Sequence, residues 1–217
     1  MKNRRQADRN DQFRERPARA HARGFSLIEM MMVMAILLIA CGITFISIGP
    51  VIQQNRVTNA YNTVLTTVRR AREQAVAERQ QYIVTFNKAV FPNTVTVARS
   101  NPANIILTAQ LPSDIFFRNE PGIPITVATT PDNFGTGANA IDFGIGVGAG
   151  GQNTIYFMPD GSAKDLVGNY NNGVLYLARP GELLSSRAIT VWGVTGRIRG
   201  FRLYANVGAG TNSWRQE

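Results

Sequence analysis

The chain has 217 residues and a formal net charge of +9, with one cysteine and one histidine. That length holds one globular domain with a sizeable core beside a membrane segment. Cys41 alone makes neither an intramolecular disulfide nor a cysteine zinc cluster, and His21 lies in the N-terminal basic stretch. Once that stretch is cut away, Ser-His-Asp and Cys-His mechanisms are excluded, and acid–base work would fall to carboxylates, Lys or Tyr.

Residues 1–24 hold eight Lys/Arg and three Asp/Glu, so they carry +5 of the +9 and leave +4 for the remainder. The basic excess therefore marks a cytoplasmic-side leader, expected to be removed, rather than a nucleic-acid-binding chain. Residues 25–48 follow as an apolar run whose sole carboxylate is Glu29. About 20 such residues are enough to cross a bilayer as a helix. A carboxylate inside it costs at least ~2.5 kcal/mol and calls for a partner. A cut after Gly24 would supply one, the new α-amino group of Phe25. Glu29 lies four residues on, near the same helical face, and can pair with that amine or with a neighbouring subunit's. This is assembly chemistry rather than catalysis.

Helical periodicity continues through residues 49–80. Val57, Tyr61, Val64, Leu65, Val68, Ala71 and Ala75 form one apolar stripe, with the charged residues mostly off it. Gly49 and Pro50 predict either a bend in one helix or two helices with a short break. From 81 to 217 the pattern is β. Short apolar or alternating runs fall at 81–86, 94–98, 105–111, 115–117, 123–127, 155–158, 174–178, 188–192 and 198–204. Turns of Pro, Gly, Asn and Asp separate them, which predicts antiparallel sheets. The Gly- and Asn-rich residues 131–151 predict a long exposed loop. The fold class is α+β: a long N-terminal transmembrane helix whose distal half packs on antiparallel β-sheets.

Gly24-Phe25-Ser26-Leu27-Ile28-Glu29 resembles the processing motif of the type IV pilin and type II secretion pseudopilin superfamily, Gly–Phe-Thr/Ser-Leu-Ile-Glu, at every place. The 24-residue leader is longer than many in that superfamily. Further along, residues 64–77 are similar to the helix of GspH/FimT-type minor pilins. Residues 155–161 resemble their strand–turn element, and Gly196-Arg197-Ile198-Arg199 resembles their Gly-Arg-x-Arg segment. The resemblance implies cleavage between Gly24 and Phe25 by a prepilin peptidase, N-methylation of Phe25 and a filament role for Glu29. It further implies a single-pass protein of the bacterial inner membrane with a periplasmic C-terminal domain. Its partners would be other pilin subunits and the inner-membrane assembly platform, and no cofactor is expected. The fibre would be a type II secretion pseudopilus or a type IV pilus, with this chain possibly at or near the tip.

Residues 146–151 formally match GxGxxG, but a strand rather than a helix follows, so a flexible loop is the better reading. Asp132, Asp142, Asp160 and Asp165 fit no calcium-loop spacing, and Asp160-Gly161 reads as a hairpin turn. No catalytic or metal residue is assigned. Arg197, Arg199 and Arg202, with Arg187 and Arg215 and nearby Trp192, Tyr204 and Trp214, form a cationic C-terminal segment. Arg197 and Arg199 would share a solvent-facing strand face and could hold phosphates. The resemblance implies the same alternative, a DNA-binding minor pilin using Gly-Arg-x-Arg.

Overall fold

The computed structural model describes residues 24–135, 137–145, 151–205 and 212–217. Its elements are helix α1 (Leu27–Glu78) and strands β1 (Tyr82–Asn87), β2 (Thr94–Arg99), β3 (Asn104–Gln110), β4 (Ile141–Ile145), β5 (Thr154–Phe157), β6 (Ala163–Lys164), β7 (Asn172–Leu177), β8 (Arg187–Trp192), β9 (Arg197–Tyr204) and β10 (Ser213–Gln216). The chain divides into two units, residues up to Ser47 and Ile48–Glu217. Helical backbone continues through Gly49 and Pro50. At its end Arg79 takes a left-handed φ of 52°, and the Gln80 N–H returns to the Ala75 carbonyl at 3.1 Å. This closing geometry satisfies carbonyls the helix would otherwise leave open.

In the second unit every residue of the expected stripe is buried, from Val57 to Ala75. The stripe is covered by two antiparallel sheets, ordered β3-β2-β1-β5-β6 and β10-β9-β8-β7-β4. The alternating side chains Tyr82, Val84 and Phe86 of β1, Leu175 and Leu177 of β7, and Ile189 and Val191 of β8 join the helix in one core. Burial of that size, at about 1.5–3 kcal/mol per large apolar side chain, fixes strand register because a one-residue slip would turn each set outward. The second sheet has a further apolar layer on its outer face, where Val174, Tyr176, Ala188, Phe201 and Leu203 are covered by Ile123, Phe134 and Trp214.

Residues 131–151 correct the expectation of an exposed loop. Pro131, Phe134 and Gly135 are buried, and β4 pairs with β7, placing Ile141 and Phe143 in the core. The Ile-x-Phe-x-Ile alternation is a strand signal that the surrounding glycines conceal. Gly144, at φ 91° where the register shifts, supplies the conformation of a bulge. Thr136 and residues 146–150, including most of the GxGxxG match, lie outside the described residues. Two expected strands also fail. Ile115 and Phe117 are buried, but only Phe116 pairs, in one bridge to Ala178. The run at 123–127 is irregular up to Val127, where a 3-10 helix begins, because Pro121 and Pro124 cannot donate to a ladder. The short strands β6 and β10 lie outside the expected runs.

Candidate functional sites

Gly24, Phe25 and Ser26 precede the first helical turn and are exposed. Ser26 starts the helix: its Oγ accepts the Ile28 N–H at 3.3 Å, and its carbonyl accepts the Glu29 and Met30 N–H groups. Glu29 sits three residues on, in the first turn, where an acid suits the helix N-terminus. Among the described residues a Cβ at Gly24 would meet nothing within 4 Å, so none of them demands glycine there. Behind the motif, Leu27–Thr44 is an 18-residue helical window of mean hydropathy 2.4 with none of it buried in the protein. Exposed side chains such as Leu27, Ile28, Leu38 and Ile39 need a bilayer or other helices to cover them.

The cationic C-terminal residues divide between two faces. Strand alternation places Arg197 and Arg199 on the outer face of the second sheet, with Phe201 and Leu203. Arg202 falls on the opposite face, with Ile198 and Gly200. Arg199 is not a free cation. Its Nη1 pairs with Asp132 Oδ1 at 2.5 Å, and that side chain is 5% exposed. The other Asp132 oxygen accepts the Thr190 hydroxyl at 2.5 Å and the Trp192 indole N–H at 3.1 Å. Arg197 is exposed.

The three segments quoted for the minor-pilin resemblance meet at one point. Arg72 of α1 donates Nε to the Gly161 carbonyl and Nη2 to the Thr195 carbonyl, each at 3.0 Å. Gly196 has φ 60°, and a Cβ there would overlap the Gly161 carbonyl oxygen. The glycine of Gly-Arg-x-Arg is thus demanded by packing against the Asp160-Gly161 turn. In that turn Asp160 Oδ1 accepts both the Ser162 hydroxyl (2.6 Å) and its N–H (2.8 Å), and these bonds hold the Asp160 carboxyl below its ordinary value. Beside this junction lies an open cleft of about 300 Å³ lined by Arg69, Arg72, Arg197 and Glu73. Helix arginines that no strand pattern could tie to the C-terminus therefore belong to the same neighbourhood.

The remaining aspartates have local duties. Asp142 Oδ1 accepts the Gly151 N–H, and Asp165 Oδ1 accepts the Val167 and Asn169 N–H groups. Among the described residues no three His, Cys, Asp or Glu side chains gather as a metal site would require.

No curated protein and no solved structure matches the chain. The prokaryotic N-terminal methylation motif does match, over residues 19–45, covering the end of the leader, the Gly24–Glu29 segment and all of the apolar window. That motif supports the type IV pilin and pseudopilin family, and the apolar N-terminal helix followed by antiparallel sheets is an α+β, pilin-like arrangement.

Proposed function

We propose that the chain is a minor pilin or pseudopilin of the GspH/FimT type, a structural subunit rather than an enzyme. Prepilin peptidase would cut between Gly24 and Phe25, and the new terminus would be N-methylated. The subunit would stand in the inner membrane with its C-terminal domain in the periplasm before joining a pseudopilus or pilus, at or near the tip. Glu29 would pair with the Phe25 amine of a neighbour. The observation that carries this reading is the motif at an exposed, non-helical Gly24–Phe25 bond, directly before an uncovered 18-residue apolar helix. The test is the mass of the chain recovered from cells that contain the peptidase. Wild type should begin at Phe25, and Gly24→Trp should remain uncut because its side chain would not enter the peptidase site. A mature-size Gly24→Trp product would overturn the assignment of the cut.

The second reading is a DNA-capturing minor pilin. It is favoured by the cleft where Arg69 and Arg197 have no acid within ion-pair distance among the described residues.

A further inference from the structure

Three arginines stand directly opposite one another across three strands. Arg187 of β8 faces Arg202 of β9, which faces Arg215 of β10. All three lie on the face of the second sheet that also carries Ile189, Ile198 and Gly200 toward α1. Like charges directly opposed across a sheet are destabilising, so such a row calls for a counter-charge.

The chain supplies little of it. Arg187 is 3% exposed, and its Nη1 donates to the carbonyls of Leu184 (3.3 Å), Ser185 and Ser186 (3.1 Å each). Among the described residues its Nε has no partner, and no carboxylate lies within ion-pair distance of the side chain. Burial, and then the charge of Arg202, lower its pKa from the ordinary guanidinium value. Arg202 meets Glu217 only at 3.8 Å, and Arg202 and Arg215 both rest over the Tyr204 ring. A buried cation without an anion is costly, and carbonyl bonds offset only part of that cost.

Arg187 and Arg202 line an open cavity of about 480 Å³ walled by Val57, Leu183 and Leu184. The one acid on its lining, Glu182, is held by Arg179 at 2.6 Å. Two guanidinium groups above an apolar wall match a carboxylate on an apolar stem, which arginine grips in bidentate fashion. A nucleic-acid backbone fits less well, since it follows exposed cations and Arg187 is recessed.

We propose that this cavity docks an acidic side chain, flanked by apolar residues, from a neighbouring pilin subunit. The occupant rests on the superfamily assignment; the anion site itself does not.

The test uses the full chain in nanodiscs of uncharged lipid, with isotope-labelled arginine side chains followed by NMR during titration with hexanoate and, separately, hexanol. Hexanoate should shift the Nε–Hε signals of Arg187 and Arg202 saturably, and hexanol should not. Arg202→Gln, at a half-exposed position, should weaken hexanoate binding by about tenfold or more. Leu184→Trp, on the exposed wall, should abolish it by filling the cavity, and it leaves the buried Arg187 in place. Absence of a saturable hexanoate shift overturns the site whatever the chain assembles into. An oligonucleotide that displaces hexanoate with a steep salt dependence overturns the carboxylate assignment. The occupant is tested separately by a photoreactive residue at Leu184 in fibre-forming cells. A cross-link to another pilin subunit that is lost with Arg202→Gln is expected. Fibres that contain the chain but yield no such cross-link overturn the subunit as occupant. Absence of the chain from fibres overturns the pilin reading and the occupant with it, leaving the hexanoate result to judge the site.

Discussion

Tyr61 and Gly200 meet where α1 crosses the second sheet: the Tyr61 hydroxyl occupies the space that a Cβ at position 200 would need. Glycine in the middle of β9 is therefore a condition for helix and sheet to pack at this distance. Gly200→Ala should overpack the contact and cost about 1–3 kcal/mol, read as a lower denaturant midpoint with an unchanged slope. Stability equal to wild type would mean that the helix does not pack here.

The same hydroxyl is buried and has no hydrogen-bond partner among the described residues. Removing it in Tyr61→Phe should leave stability unchanged or raise it, since an unpaired buried polar group is lost and the ring is kept. Burial, followed by the charge of Glu217, pushes the Tyr61 pKa up from 10.0 to about 12, and burial likewise raises that of Tyr176. The sign follows from proton counts. Between those values the unfolded chain has released the phenol proton while the folded chain keeps it, so stability falls as pH rises. This contribution is fully present below pH 10 and is lost as pH climbs to about 12. Denaturation midpoints of wild type and Tyr61→Phe should therefore diverge in favour of the variant through that window. Parallel curves would show that Tyr61 is not buried when folded.

Arg72 and Arg197 test what the segments shared with minor pilins are for. Arg72 ties the helix to Gly161 and Thr195 through two 3.0 Å bonds, so Arg72→Ala should cost roughly 1.5–3 kcal/mol. Arg197 is exposed, and Arg197→Ala should stay within about 0.5 kcal/mol. Thermal unfolding of the two variants separates them. Equal effects would show that the junction at Gly196 does not depend on Arg72.

Among the described residues the helix stripe and strands β1, β2 and β5 were legible because burial on one face imposes a period of 3.6 or 2 on the residues themselves, whereas β7 and β8, buried on both faces, read as continuous apolar runs. β4 was not legible, because Gly and Asn density outweighed the alternation of Ile141, Phe143 and Ile145. The processing motif needs only contiguous residues and was legible in full. The arginine sites lie at the other extreme. Parity along β9 already separates Arg202 from Arg199. The Asp132 partner, however, is 67 residues from Arg199, and the Arg187–Arg202–Arg215 row exists only through the register of three strands. Nothing local encodes either.

Glu29→Val should ease membrane insertion, since it removes a charge from the apolar run. It should nonetheless reduce the amount of chain in sheared fibres, because a neighbour's Phe25 amine would lose its counter-charge. Wild-type amounts in those fibres would remove Glu29 from the assembly mechanism.

The pair Asp132 and Arg199 provides the means of separating the two functional readings. Arg199→Gln leaves the Asp132 carboxylate, 5% exposed, without its cation and should cost roughly 1–3 kcal/mol, contrary to the small effect a solvent-facing arginine would have. Asp132→Asn added to Arg199→Gln should recover part of that loss, as a double-mutant cycle on a contacting pair requires. For DNA, Asp132→Asn alone frees the guanidinium. If the outer face holds phosphates, that variant should bind oligonucleotides more tightly, with a log–log salt slope steeper by about one unit. Arg197→Gln should make the slope shallower by about one. Wild-type chain in uncharged nanodiscs that shows no salt-sensitive DNA binding, with Asp132→Asn equally inert, would end the DNA reading and leave the structural pilin role standing.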